Sequence, residues 1–151
     1  MSLCVSCSVV RSFVPIDQVI ATDFDVTTEW QEIRPAEPME SSHIRQMITL
    51  KVDGAKLPES VTDHAANTTR IDWNALAMPG GKLITPELQL VDENGTSHSL
   101  HGSQEGGNGR GYSVESVSSS DDRYRKYVAL KIRSNIPFRA REIRWYTSDP
   151  K

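Results

Sequence analysis

A period of two runs through this chain and limits what it can become. Phe24, Val26, Thr28 and Trp30 share one parity, with Asp23, Asp25, Thr27 and Glu29 on the other. Ile44, Ile48, Leu50 and Val52 are set against Arg45, Thr49 and Lys51 in the same way. Val128, Leu130 and Ile132 stand opposite Tyr127, Lys131 and Arg133, and Ile143 and Trp145 opposite Glu142, Arg144 and Tyr146. Successive side chains of an extended strand point to opposite faces, so this pattern buries one face and wets the other. Strands with one wet face belong to antiparallel sheets. Helical spacing is hard to find, and only residues 58–66 tolerate a turn or two of helix.

The punctuation agrees. Gly, Pro, Asn, Asp and Ser gather at 34–42, 53–67, 78–86, 102–111 and 116–123. Turn residues spaced this way between short strands point to a sandwich or barrel. A chain of 151 residues is long enough for one domain with a sizeable core. Its 37% hydrophobic and 25% charged residues exclude wholesale disorder and collagen. The expectation is an all-β, single-domain antiparallel β-sandwich, jelly-roll or Ig-like, with about seven to nine strands and little helix. It spans 16–149, with 1–15 an apolar stub or first strand. The expected core is Phe24, Val26, Trp30, Ile48, Leu50, Ile71, Leu88, Leu90, Leu100, Val128, Leu130, Ile132, Ile143 and Trp145.

One hairpin is legible almost to the residue. Strands 87–91 and 96–100 flank Asp92-Glu93-Asn94-Gly95. A two-residue Asn-Gly turn places Gln89 opposite Leu100. A type I turn closed by a left-handed Gly95 instead sets Leu88 against Leu100 and Leu90 against His98. A one-residue slip turns the apolar set outward, so the second register is expected. Residues 102–111 hold five glycines and read as an exposed, mobile loop.

Charge is lopsided. Residues 1–109 carry 7 Lys+Arg and 15 Asp+Glu, whereas 110–151 carry 10 and 5, within a net charge of −3. Basic Arg123, Arg125, Lys126, Lys131, Arg133, Arg139, Arg141 and Arg144, interleaved with Tyr124, Tyr127 and Tyr146, have the composition of a single-strand nucleic-acid binder. An acidic chain argues against that. In an antiparallel sandwich late strands lie beside early ones, so the two halves are expected to neutralise each other. Cys4-Val5-Ser6-Cys7 precedes every clear element, and His98 and His101 point to opposite sides of their strand, so neither a redox pair nor a zinc site is expected. No nucleophile elbow or triad context accompanies His43, His64, His98 and His101. No run reaches the roughly 18–20 apolar residues of a membrane helix. Arg11 follows the apolar stretch 3–10 where an export signal carries its charge first. The membrane is therefore reachable only through an anchor upstream of this chain, of which the stub is then the tail.

Residues 127–133 followed by Arg141-Glu142-Ile143-Arg144-Trp145-Tyr146 resemble the closing strands of galactose-binding-like jelly-roll modules. That resemblance implies a carbohydrate- or protein-binding module, often with a stabilising calcium. The favoured reading is a non-catalytic binding or interaction module, an extracytoplasmic domain of an envelope or surface protein, with a protein or glycan as partner. The second reading is carbohydrate recognition, with Trp73, Asn74, Arg144 and Tyr146 as ligand-binding residues. A hydrolytic or metal-dependent enzyme comes third.

Overall fold

The structure, a computed structural model, describes residues 16–40, 43, 45–56, 61–63, 68–70, 74–103, 110–114 and 125–148. Among them the regular elements are all strands. The long ones are β1 (Ile16–Val26), β4 (Arg45–Lys51), β9 (Pro86–Asp92), β10 (Ser97–Ser103), β11 (Arg110–Val114), β12 (Lys126–Ser134) and β13 (Phe138–Ser148). Shorter pieces are β2 (Gln31–Ile33), β3 (Met39–Glu40), β5 (Val61–Asp63), β6 (Thr68–Arg70), β7 (Leu76–Ala77) and β8 (Leu83–Ile84). β5 and β6 pair with each other, as do β7 and β8. Val61–Asp63 is thus a strand where the sequence allowed a helical turn.

The remaining nine strands form one continuous antiparallel sheet in the order β1-β13-β4-β11-β10-β9-β12-β2, with β3 also on β12. It folds into two layers because β10 serves both. Leu100–Ser103 pair with β11, whereas Ser97–Ser99 pair with β9. The pairing is nested: the first long strand lies against the last, Ile16 opposite Thr147. A hydrogen bond from Ser134 N to Thr27 O (3.0 Å) ties the end of β12 to the residue that follows β1, linking the two layers at one end. The all-β antiparallel sandwich expected from the alternation is therefore present.

The core follows. Val26, Ile48, Leu50, Leu88, Leu90, Leu100, Leu130, Ile132, Ile143 and Trp145 are all buried. Trp145 of one layer meets Tyr127 of the other edge to face, with ring centroids 5.7 Å apart. The β9–β10 hairpin takes the expected register: Leu90 lies opposite His98, Gly95 N donates to Asp92 O, and Gly95 has φ +84°. Gly102, Ser103, Arg110 and Gly111 turn out to be strand residues, so the glycine-rich segment is flanked by a paired ladder.

Three core expectations are corrected. Trp30 is exposed at 38% because the strand ends at Val26. Gln31 accepts from Thr27 N through Oε1 and donates to Asp25 O through Nε2, at 2.8 and 3.0 Å. These bonds bend the chain at 27–30, and parity restarts at β2. Tyr127, expected outside, is fully buried, while Val128 is only half-buried. The pairing of β12 with β9 shifts between Tyr127 and Ala129, and the bulge moves Tyr127 inward. Phe24 packs against the core but is only half-buried. Ile44 and Ile71 lie outside the described residues.

Candidate functional site

The outer face of the β10-β9-β12-β2 layer carries the most distinctive arrangement of side chains. Registers align Ser99 with Gln89, Gln89 with Lys131, and Lys131 with Glu32 across four strands. Arg133 lies opposite Glu87 in the adjoining row. Their alternation partners Leu88, Leu90, Leu130 and Ile132 are buried, so the polar row is held flat by the same packing that builds the core. Trp30 stands over this row from the 27–30 bend. The Arg133 guanidinium carbon lies 4.4 Å from the indole centroid, and Arg133 Nε donates to Glu87.

Two adjoining hollows meet at Trp30 and Gln89. One, of about 310 Å³, extends past Glu87, Ser99, His101 and Arg133 to Asn74. The other, of about 170 Å³, reaches Glu32 and Lys131. Together they form a shallow groove running across the strands, with an exposed indole at its middle and amide, hydroxyl, carboxylate and cationic groups along its walls. Asn74 is fixed at one end: its Oδ1 accepts from Gly102 N at 2.7 Å, and its carbonyl accepts from Tyr112 Oη at 3.1 Å.

A larger cleft of about 460 Å³ lies at one end of the sandwich, between Asp53, the 78–82 turn and the 136–138 turn. Ile84 and Phe138 line it, but both belong to the core cluster. Its rim is largely self-neutralised: Arg141 Nη1 meets Asp53 at 3.2 Å, and Arg139 meets Asp25 at 3.4 Å. The Asp53 carboxylate is the main cause that raises the Arg141 pKa.

Of the residues expected to bind ligand, Asn74 lines the groove and Trp73 lies outside the described residues. Arg144 and Tyr146 sit on β13, in the other layer, and point away from the core, as the buried Ile143, Trp145 and Thr147 show. Arg144 is tied to Glu142 (2.9 Å) and Asp17 (3.0 Å). Those two carboxylates raise its pKa, and Arg144 in turn lowers that of Glu142. The structure thus sets Asn74 apart from Arg144 and Tyr146, and brings Trp30, Gln89, Lys131 and Arg133 to the groove instead. The outward parity of Gln89, Lys131 and Arg133 was readable; the break that frees Trp30 was not.

Six of the eight cations named at the basic end pair with acids from earlier in the chain, while Arg123 and Tyr124 lie outside the described residues. Arg125, Lys126, Arg133, Arg139, Arg141 and Arg144 reach Asp92, Glu40, Glu87, Asp25, Asp53 and Asp17 respectively, all acids of the stretch 1–109.

Two further polar clusters serve the fold. His43 Nδ1 and Thr147 Oγ1 lie 2.8 Å apart, buried between layers. Asp92 accepts from Asn94 N and Thr96 N and faces His98 Nε2, each at 2.9 Å, which clasps the hairpin. Among the described residues no three His, Cys, Asp or Glu side chains converge as a metal site, and no helix is long and apolar enough to cross a membrane. Cys4, Cys7 and His64 lie outside the described residues. Compared with family models, curated proteins and solved structures, the chain matches none.

Proposed function

We propose that this chain is a non-catalytic, extracytoplasmic binding module of jelly-roll type that holds an extended carbohydrate in the groove beside Trp30. The jelly-roll assignment is supported by the nested pairing: counting β1, β2, β4 and β9–β13 as eight strands, the first pairs with the eighth, the eighth with the third and the third with the sixth. In the other layer the second pairs with the seventh, the seventh with the fourth and the fourth with the fifth. Two interlocked Greek keys produce this order. The envelope location rests on the apolar stretch at 3–10 together with the sandwich.

The observation that carries the ligand class is the exposed Trp30 indole at the meeting of two hollows walled by Gln89, Ser99, Glu87 and Asn74. A pyranose ring has an apolar C–H face that stacks on an indole and a rim of hydroxyls that seeks amide and carboxylate partners. A flat groove across strands suits a linear polymer better than a compact metabolite. Holding rather than cutting is the action proposed.

The test is a tryptophan-fluorescence titration with a panel of soluble polysaccharides. At least one should give a saturable change that Trp30→Ala abolishes. The variant itself should stay folded, losing about 1 kcal/mol at most with the Arg133 stack. A flat response across the panel, or a response unchanged in the variant, refutes the reading.

A further inference from the structure

We propose that the groove selects polysaccharides with sparse carboxylates (uronate polymers) and that Lys131 is the side chain that selects them. This rests on the reading of the groove as a glycan site and adds the charge class of its ligand. The argument begins with which charges on the groove are already used. Glu32 is taken by Arg34, whose Nε and Nη2 donate to its two carboxylate oxygens at 3.1 and 3.3 Å. Glu87 is taken by Arg133. Lys131 stands in the middle, between Glu32 on β2 and Gln89 on β9 by register, and lines the smaller hollow beside Trp30. Among the described residues no carboxylate comes within ion-pair distance of its ammonium. Two acids and their two arginines cancel, so among the described residues Lys131 leaves the groove one positive charge without an ion-pair partner.

Arg133 adds direction to that charge. Its guanidinium is held by the indole on one side and by Glu87 at Nε, while Nη1 and Nη2 hydrogen-bond to no described residue. Donors fixed in advance lose little freedom when they meet an acceptor such as a sugar hydroxyl. Lys131 and Arg133 are two residues apart on one face, about 7 Å along the strand. A sugar stacked on Trp30 can therefore present its acid group to Lys131 while its hydroxyls reach Arg133 and Gln89.

The same count sets the charge density. Four strands at their usual spacing give a row of about 14 Å. One cation without an ion-pair partner over that length, among the described residues, matches a polymer carrying an acid group on occasional sugars. A densely sulfated chain would bring extra anions against Glu32 and Glu87, with no cation left to meet them.

The test uses the full chain with hyaluronate and a largely methyl-esterified pectin, each beside its carboxyl-reduced neutral twin, and heparin as the densely charged probe. At low salt the acid form should bind about two- to five-fold tighter than its twin, the worth of one surface ion pair. Lys131→Gln should erase that preference, so that the acid and neutral forms bind alike, and added salt should erase it in the wild type. Equal binding of acid and neutral forms, both lost in Trp30→Ala, overturns uronate selection and leaves the glycan reading standing. A preference that survives Lys131→Gln overturns the role of Lys131. Heparin binding tightest overturns the sparse-charge argument. Failure of every polymer, charged or neutral, overturns the glycan reading and this inference with it.

Discussion

Replacing Asp92 by Asn isolates one charge at the tightest point of the chain. The carboxylate closes the 92–96 turn through two backbone N–H groups and meets His98, all at 2.9 Å, with only 8% of its side chain exposed. Asn keeps the shape and one carbonyl oxygen but loses the charge. Hydrogen bonds to an ionised group contribute about 1.5–3 kcal/mol each against about 1 for neutral ones, so weakening the set should cost about 2 kcal/mol at neutral pH. For a chain of this length that is a melting temperature lower by about 4–8 °C.

The pH dependence follows from the same bonds. The His98 hydrogen bond, followed by those from Thr96 and Asn94, lowers the Asp92 pKa below its ordinary 3.8, and burial opposes this without reversing it. The unfolded chain therefore takes up the proton first as pH falls. Wild-type protein holds the full contribution above the unfolded value and loses it as pH drops through the lower folded one, while the Asn variant has nothing there to titrate. Urea unfolding of both proteins should show the full gap at neutral pH and a shrinking one below pH 3.8. Coincident curves at neutral pH, or a gap that stays constant into acid, would show that the clasp contributes nothing as a charge.

Two further substitutions probe the packing and the turns. Leu130→Ala, at a fully buried position, should cost about 2–5 kcal/mol in urea unfolding with the fold retained, and a loss below 1 kcal/mol contradicts the assigned core. Gly95→Ala should cost about 1–2 kcal/mol from the left-handed φ alone, since nothing lies within 4 Å of an added Cβ. Gly54→Ala should cost more, because its Cβ also comes within 3.2 Å of Pro79 Cγ, and the reverse ranking by thermal melts refutes this.

How far the sequence could be read depends on the reach of each determinant. The β9–β10 register was legible because its determinants are local: Asp92 and Gly95 fix the turn, and Leu88, Leu90 and Leu100 fix the face. Trp30 was misplaced because parity was carried across residues 27–30, where the Gln31 side chain substitutes for a sheet partner. Tyr127 was misplaced because a bulge at Val128 answers to the neighbouring strand, which alternation along β12 cannot report. The candidate groove was only half visible for the same reason. Its polar row follows from alternation within strands, but bringing Trp30 to Arg133 takes a bend and a pairing between segments a hundred residues apart in sequence. Arg144 and Tyr146 were plausible by type, and the topology sends them to the opposite layer.

The pairing of the opening strand with the closing one sets an order of events during synthesis. When Ile16–Val26 leaves the ribosome, the segment it will pair with has not yet been translated, and it must wait for Phe138–Ser148. Pairings between the ends of a chain are the slowest to close, and the waiting ladder of unbonded amides is the surface most open to strangers. The shift in register at Val19/Ala21 and the left-handed Asp23 (φ +47°) make that ladder irregular, a poor template for a passing copy while its proper neighbour is still being made.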